Sequence, residues 1–465
     1  MKKLCSLLLS AVMTISAAAY AAAEELTVPE EIISPGTVET MTISSRLKTN
    51  VVAKIGTKTV LYGLAHNSGG LYAYDITDGK NAVQIGSSLT AASYDNKEAA
   101  MYVKDAHLIF ANGNNVQVNE LNSDGSVGAQ VFSDSTGGIV ASLAVADDLL
   151  FASSENSNKG IVVYDISDVT NISMIGSITA QNSVRSLDVE KMGNGTYRIY
   201  SAVKASVDNI STIKLLITDI SYNEGVFEYT RVLDEAIPQY EGFGWQGYGY
   251  TATDSGIVTL LSSGYIEVES NNSGRFLIDA TDPSAAKVID AETVSNNAFR
   301  QRKLKLDSSK IVEISKNGNG IWITDYSDVL QPNQISEITN MRGEGASIFE
   351  NYLYTTIDGQ ICRLKLYDEY ELSEPAVEKS DGSISVTVNV DNYVAHEVNM
   401  VLIAAIYKDG KMINVEFNNA AIEANARNSS ISVNLDASGQ EDYTFKTWVF
   451  DNFNNMNLLT DVVYE

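Results

Sequence analysis

The stretch "IVVYDISD" (161–168) recurs along this chain in recognisable copies, and that recurrence limits the possible folds more than any other property of the sequence. Close copies are "LYAYDITD" (71–78), "LLITDISY" (215–222), "RFLIDATD" (275–282) and "IWITDYSD" (321–328), with looser ones at "VQVNELNS" (116–123) and "ICRLKLYD" (361–368). Their fifth positions are Asp75, Glu120, Asp165, Asp219, Asp279, Asp325 and Lys365, separated by steps of 45, 45, 54, 60, 46 and 40 residues. Seven units at such a spacing have the period of propeller blades.

Each unit also begins with an apolar strand that ends in a polar Gly/Asn turn, as in "LLFASSENSNKG" and "LIFANGNN". Strand, turn and strand make a β-hairpin, and a third apolar strand follows, as in "SMIGSIT". In "IVVYDISD", Ile161 and Val163 face one way while Val162, Tyr164 and Ile166 face the other. Both sets are apolar, so the strand is expected to be covered on both sides. Face-to-face stacking of blades around an axis provides that cover, whereas a two-sheet sandwich alternates apolar with polar. The expectation is an all-β chain whose residues 24–372 form a seven-bladed β-propeller.

The aspartate inside the strand has a local reason. Thr77, Ser167, Ser221, Thr281 and Ser327 stand two residues beyond Asp75, Asp165, Asp219, Asp279 and Asp325. A carboxylate and a hydroxyl at that spacing can bond a turn's backbone, so these acids are read as turn anchors and not as a metal-binding ring. The copies "LYAYD", "VVYDI" and "FLIDATDP" resemble the LVIVD-repeat β-propellers of secreted and surface bacterial proteins. The resemblance spans roughly residues 40–372 and implies the fold. It implies no single activity, because such propellers have varied roles.

Past residue 372 the repeat ends. The acidic, proline-containing segment 373–383 reads as a linker, and 384–465 as a small Ig/fibronectin-like β-sandwich of alternating strands such as "SISVTVNV". "VLIAAIYKDGKMINVEF" with "YTFKTWVFDNFNNMNLLTD" resembles an accessory β-sandwich at the C-termini of secreted clostridial proteins. There Trp448 and Phe450 are expected as core or interface residues. At the other end, "MKKLCSLLLSAVMTISAAAYAAAEE" has the basic, apolar and small-residue parts of a secretory signal peptide, with cleavage expected after Ala23.

Charge narrows the partners. The chain has 32 basic and 59 acidic residues, a net charge of −27, and loss of Lys2 and Lys3 with the leader makes it −29. Such a surface repels nucleic acid. No apolar run after the leader is long enough for a membrane span. One cysteine, Cys362, remains after the leader and reads as a packed apolar group. His66, His107 and His396 have no His or Cys at ligand spacing, so neither metal nor cofactor is implied. "NSDGSVG" (122–128) reads as a turn.

Two stretches are not explained by the repeat. "QYEGFGWQGYGYTATDSG" (239–256) interleaves Tyr240, Phe243, Trp245, Tyr248 and Tyr250 with glycines, and aromatic faces can stack on sugars or apolar ligands. The alternative is aromatic filling between blades. "FRQRKLKLDSSK" (299–310) is the one basic cluster in an acidic chain; Arg300 and Arg302 could hold a carboxylate, or the strand could pair with neighbouring acids. No acid pair stands out for glycoside hydrolysis. The expectation is a secreted or cell-surface binding protein, monomeric, recognising an extracellular protein or polysaccharide through propeller loops. The alternative is a glycoside hydrolase or lyase using carboxylates in the propeller mouth.

Overall fold

The computed structural model describes residues 38–464, apart from 66–68, 92–99, 157, 181–182, 194, 208–209, 224, 237–256, 271–273, 293–301, 316–319, 340, 342, 381, 440–441 and 453–456. The signal-peptide region, His66, the aromatic stretch 239–256 and Arg300 therefore lie outside the described residues. Among the described residues the chain divides into two units after Leu364.

The first unit is the seven-bladed β-propeller. Its seven antiparallel sheets follow one another along the chain, and blade three shows the plan: Leu143–Ala146, Leu149–Ser153, Ile161–Asp165 and Ser173–Ile178, hydrogen-bonded in sequence order. All seven repeat positions fall on the third strand of their sheet. Glu120 lies in Asn115–Leu121 and Lys365 in Gln360–Lys365, so even the looser copies mark true blades. The seventh sheet takes its outer strand from the other end of the chain. Glu39–Thr42 pairs with Gln360–Lys365, with Met41 opposite Ile361, and Arg363 Nε donates to Glu39 at 2.6 Å. The innermost strand of blade one, Leu47–Ile55, packs against Gly345–Phe349 of blade seven and closes the ring.

The two-faced strand behaves as its pattern requires. Val162, Tyr164 and Ile166 join a cluster with Phe110, Val118 and Leu150 of blades two and three. Ile161 and Val163 join a different one with Phe151, Ile199 and Leu216 of blades three and four. All five are almost fully buried. At about 1.5–3 kcal/mol per buried large apolar side chain, seams of this kind hold neighbouring blades together. Gly176 marks a close approach in the same seam. A Cβ there would lie 2.2 Å from the Phe227 ring of blade four.

The second unit is a β-sandwich. One sheet contains Tyr370–Leu372, Ala376–Ser380, Ser383–Asn392 and Ser429–Asp436; the other runs Lys411–Ile422, Val398–Lys408, Thr444–Phe450 and Leu458–Tyr464. Ile384, Val386, Val388 and Val390 meet Met400, Leu402, Ile406 and Phe445 in its core. The segment 373–383 is not a free linker. Ala376–Ser380 pairs with Ser383–Asn392, and Tyr370–Leu372, expected at the end of the propeller, pairs there too. Pro375 separates two short edge strands, a position where its missing N–H costs no ladder bond.

Among the described residues no helix is long and apolar enough to cross a membrane.

Candidate functional site

The repeat acids lie at the end of each blade where the third strand turns into the fourth. Asp75 Oδ1 accepts from Thr77 N–H at 3.1 Å and the Thr77 hydroxyl at 2.6 Å, and Asp279 accepts the same pair from Thr281. Asp165 and Asp325 accept from the N–H groups of Ser167 and Ser327 at 2.9 and 2.8 Å. A second aspartate three residues on repeats the device. Asp78 accepts from Lys80 and Asn81, Asp168 from Thr170, Asp282 from Ser284 and Asp328 from Leu330. The signal for this second acid is the final letter of four of the five close copies, and it had no role in the sequence reading.

Blade four departs from the scheme. Its Asp219 lies within a long strand, Ile210–Asn223, so no turn follows it, and Ser221 continues the ladder opposite Thr196. Asp219 instead takes both Nε and Nη2 of Arg198, at 2.7 and 2.8 Å. The expectation of a turn anchor fails at this copy, and the sequence holds the reason. Tyr222 stands where four other copies have the second aspartate.

That substitution helps to shape a cleft of about 490 Å³ between blades three and four, lined by Asp147, Asp148, Leu149, Asp165, Ser167, Tyr197 and Tyr222. Asp147, at φ 50° in the tight turn between the first two strands of blade three, accepts from Tyr197 Oη at 2.8 Å and pairs with Lys191 at 2.9 Å. Tyr222 Oη donates to Asp165 Oδ2 at 3.2 Å, and Asp148 pairs with Lys104. Burial pushes Asp165 up, but Ser167, the Tyr222 hydroxyl and Lys104 together hold it below the usual carboxylate range. Burial and then the Asp147 carboxylate push the Tyr197 hydroxyl well above its ordinary value. The cleft therefore offers carboxylate and phenol oxygens, a set suited to hydrogen-bonding a ligand.

The basic stretch 299–310 is only partly described. Arg302, half-buried at the start of blade six, donates to the backbone carbonyls of Lys48 and Glu344 at 3.2 and 3.4 Å. Lys310 pairs with Asp307 at 3.0 Å, while Lys305 is exposed. Lys303 is the surprise. Its side chain is only 2% exposed and pairs with Glu267, with Glu269 at 3.1 Å and with Glu313 at 3.4 Å. Glu313 also accepts from Thr324 Oγ1 at 2.9 Å and Tyr326 Oη at 3.1 Å, and Arg275 lies 3.4 Å from Glu267. Burial pulls the Lys303 ammonium below its ordinary pKa, against the pull of Glu313. The strand does pair with acids, as one reading held, but Lys303 does so inside the seam between blades five and six. The overlooked signal is "YIEVES" (265–270), a middle strand with glutamates on one face only.

Elsewhere, Cys362 is buried and its thiol is pushed up by that burial. His107 Nδ1 lies 2.7 Å from the Asp105 carbonyl oxygen. "NSDGSVG" forms a tight hairpin turn in which Asp124 accepts from Ser126 N–H and hydroxyl. In the tail, Trp448 and Phe450 are half-buried on the side of their strand opposite the core residues Phe445 and Val449.

Fold and sites together define a seven-bladed β-propeller with an attached β-sandwich. No protein-family model and no curated protein matches the chain. Among solved structures it is similar to a Lactobacillus plantarum protein, at 15% identity and a TM-score of 0.48 over 64% of this chain and 86% of that one. It is also similar to a Bacteroides uniformis protein provisionally assigned as a 6-phosphogluconolactonase, at 11% identity and a TM-score of 0.47 over 64% and 88%. A Bacteroides fragilis protein of the same provisional assignment gives 10% identity and a TM-score of 0.33 over 63% and 98%. At these values the likeness extends to neither activity nor substrate.

Proposed function

We propose that the chain is a secreted or cell-surface-associated binding protein, without catalytic activity, that recognises an extracellular protein or polysaccharide through its propeller loops. The observation that carries this reading is the state of the aspartates. Nine aspartates are held below their ordinary pKa: Asp75, Asp78, Asp124, Asp165, Asp168, Asp279, Asp282, Asp325 and Asp436. Hydrolysis of a glycosidic bond by an acid pair needs one carboxyl kept protonated by a raised pKa, and at these nine aspartates turn N–H groups and hydroxyls do the reverse.

Two further points support the reading. The resemblance of "VVYDI" and its copies to LVIVD-repeat propellers, and of the N-terminus to a secretory leader, suits an extracellular role. The strands flanking 237–256 and 293–301 are the outer strand of one blade and the inner strand of the next, so both connections leave from the same end of the propeller. Loops carried on a rigid scaffold are where binding residues concentrate. A glycan array and a pull-down from cell-surface extracts, run beside a reducing-sugar assay, test the proposal. Binding without sugar release, lost on Trp245→Ala or Tyr248→Ala, is expected. Turnover that survives both substitutions but disappears on replacement of one or two carboxylates would overturn it in favour of the hydrolase or lyase. Export is checked by the N-terminal residue of protein recovered from the medium, expected to be Glu24.

A further inference from the structure

The cleft between blades three and four lies at the end of the propeller opposite the one from which the connections 237–256 and 293–301 leave. Its walls come from the turns that join first to second strands and third to fourth. Three large apolar side chains stand exposed around it. Met192 follows Lys191, the ion-pair partner of Asp147, in the bulge before Gly193, and is 46% exposed. Val226 stands one ladder pair beyond Tyr222 and Phe227 and is 58% exposed. Met174 follows Ser173, the ladder partner of Asp165, and is 50% exposed.

We propose that this end of blades three and four is a docking surface for a polypeptide partner, which inserts an arginine side chain into the cleft and lays flanking apolar side chains on Met174, Met192 and Val226. The inference rests on the reading of the chain as a binding protein, and it narrows the partner at this surface to a protein. Charge complementarity selects the inserted group. Three carboxylates, Asp147, Asp148 and Asp165, are set against two ammonium groups, Lys104 and Lys191. Asp165 is bonded by Ser167 and Tyr222 and by neither lysine. Both phenols are already committed as donors, Tyr197 to Asp147 and Tyr222 to Asp165, so they turn acceptors to the cleft. A carboxylate with one or two bonds has lone pairs left, and a guanidinium brings five donors in a planar fork that suits them.

Other occupants fit less well. An acidic glycan would meet these carboxylates with charge of the same sign. A neutral glycan would find little aromatic face to stack on, since Tyr197 is 5% exposed. A second copy of the chain would bring a net charge of −27 against its own like. A protein supplies the arginine together with apolar neighbours, and Met, Tyr and Arg are the residues enriched where two proteins meet.

Isothermal titration calorimetry of the full chain with the synthetic peptide acetyl-Leu-Arg-Leu-amide tests it. The citrulline version of that peptide, which keeps the shape without the charge, and neutral and uronic-acid oligosaccharides are titrated beside it. The arginine peptide is expected to bind, about 10-fold more tightly than the citrulline one, and more weakly as salt is raised. Asp148→Asn and Met192→Ser should each weaken it about 3-fold, and since both side chains are exposed, neither is expected to compromise folding. No binding at millimolar peptide, equal affinity for the citrulline version, indifference to both variants, or an oligosaccharide that competes with the peptide would each overturn the proposal. Its failure beside an intact glycan-array or pull-down signal leaves the binding-protein reading standing. Turnover of a glycan beside intact peptide binding overturns that reading and leaves the docking surface.

Discussion

Two seams of the same propeller are built on opposite principles. Between blades two and three, Phe110, Val118, Leu150, Val162 and Tyr164 make an apolar contact. Between blades five and six, the corresponding strands bring Glu267, Glu269, Glu313, Lys303 and Arg275 together, beside a small apolar cluster of Leu261, Ile311, Tyr326 and Val329. The architecture is the same, because what a blade requires of its neighbour is cover for its middle strands. Cover can be hydrophobic area, or it can be charge set against opposite charge. The ionic version tolerates loss of a partner badly, since a buried charge without its counter-charge keeps the desolvation cost and loses the compensation.

The largest effect is therefore expected in the ionic seam. Lys303→Met would leave three glutamates facing each other around Arg275 and should cost about 3–5 kcal/mol, read as a drop in the urea midpoint of the propeller. Adding Glu269→Gln and Glu313→Gln to that variant should recover much of the loss. A neutral Lys303→Met would show that the seam does not depend on its ion pairs. In the apolar seam, Leu150→Ala removes a fully buried side chain and should cost roughly 2–5 kcal/mol, with little dependence on salt or pH.

Smaller effects separate the turn anchors from one another. Asp165→Ala gives up a backbone hydrogen bond at a turn and should cost about 1 kcal/mol. Asp219→Ala should cost a comparable amount through Arg198, and its effect should shrink in high salt more than that of Asp165. Equal salt responses would mean that the two aspartates do the same job. The weakest signal is acid sensitivity. Asp75, Asp165 and Asp325 have folded pKa values below their unfolded ones. Their contribution is complete above the unfolded value near about 3.9 and is lost as pH falls through the folded value. Thermal melts taken through that acid range should show a shallower decline for Asp165→Asn than for the parent chain.

The blades were legible because a two-sided strand leaves a plain mark. Ile161 and Val163 against Val162, Tyr164 and Ile166 already separate two seams that the structure assigns to different neighbours. The turn role of Asp75, Asp165, Asp279 and Asp325 was legible too, because an acceptor two residues before an N–H needs only local geometry. The exception at Asp219 was readable from Tyr222 but was hidden by aligning only the first aspartate. Of the candidate ligand residues, Arg302 bonds backbone carbonyls, while Tyr240, Phe243, Trp245, Tyr248, Tyr250 and Arg300 lie outside the described residues.

Periodicity, turn chemistry and composition by themselves determined an all-β chain of seven blades and a tail, since each depends on residues within one strand or one hairpin. Only the tertiary structure decided how distant parts meet. Glu39–Thr42 supplies the missing strand of the seventh blade across more than three hundred residues. Lys303 finds Glu267 and Glu269 on the neighbouring blade, and Val415 and Phe417 lie on an outward face that their alternating strand could equally have turned inward. The physical reason is common to all three. A side chain's partner across a seam is set by packing between elements, and one strand's own pattern says which residues share a face but not what that face will meet.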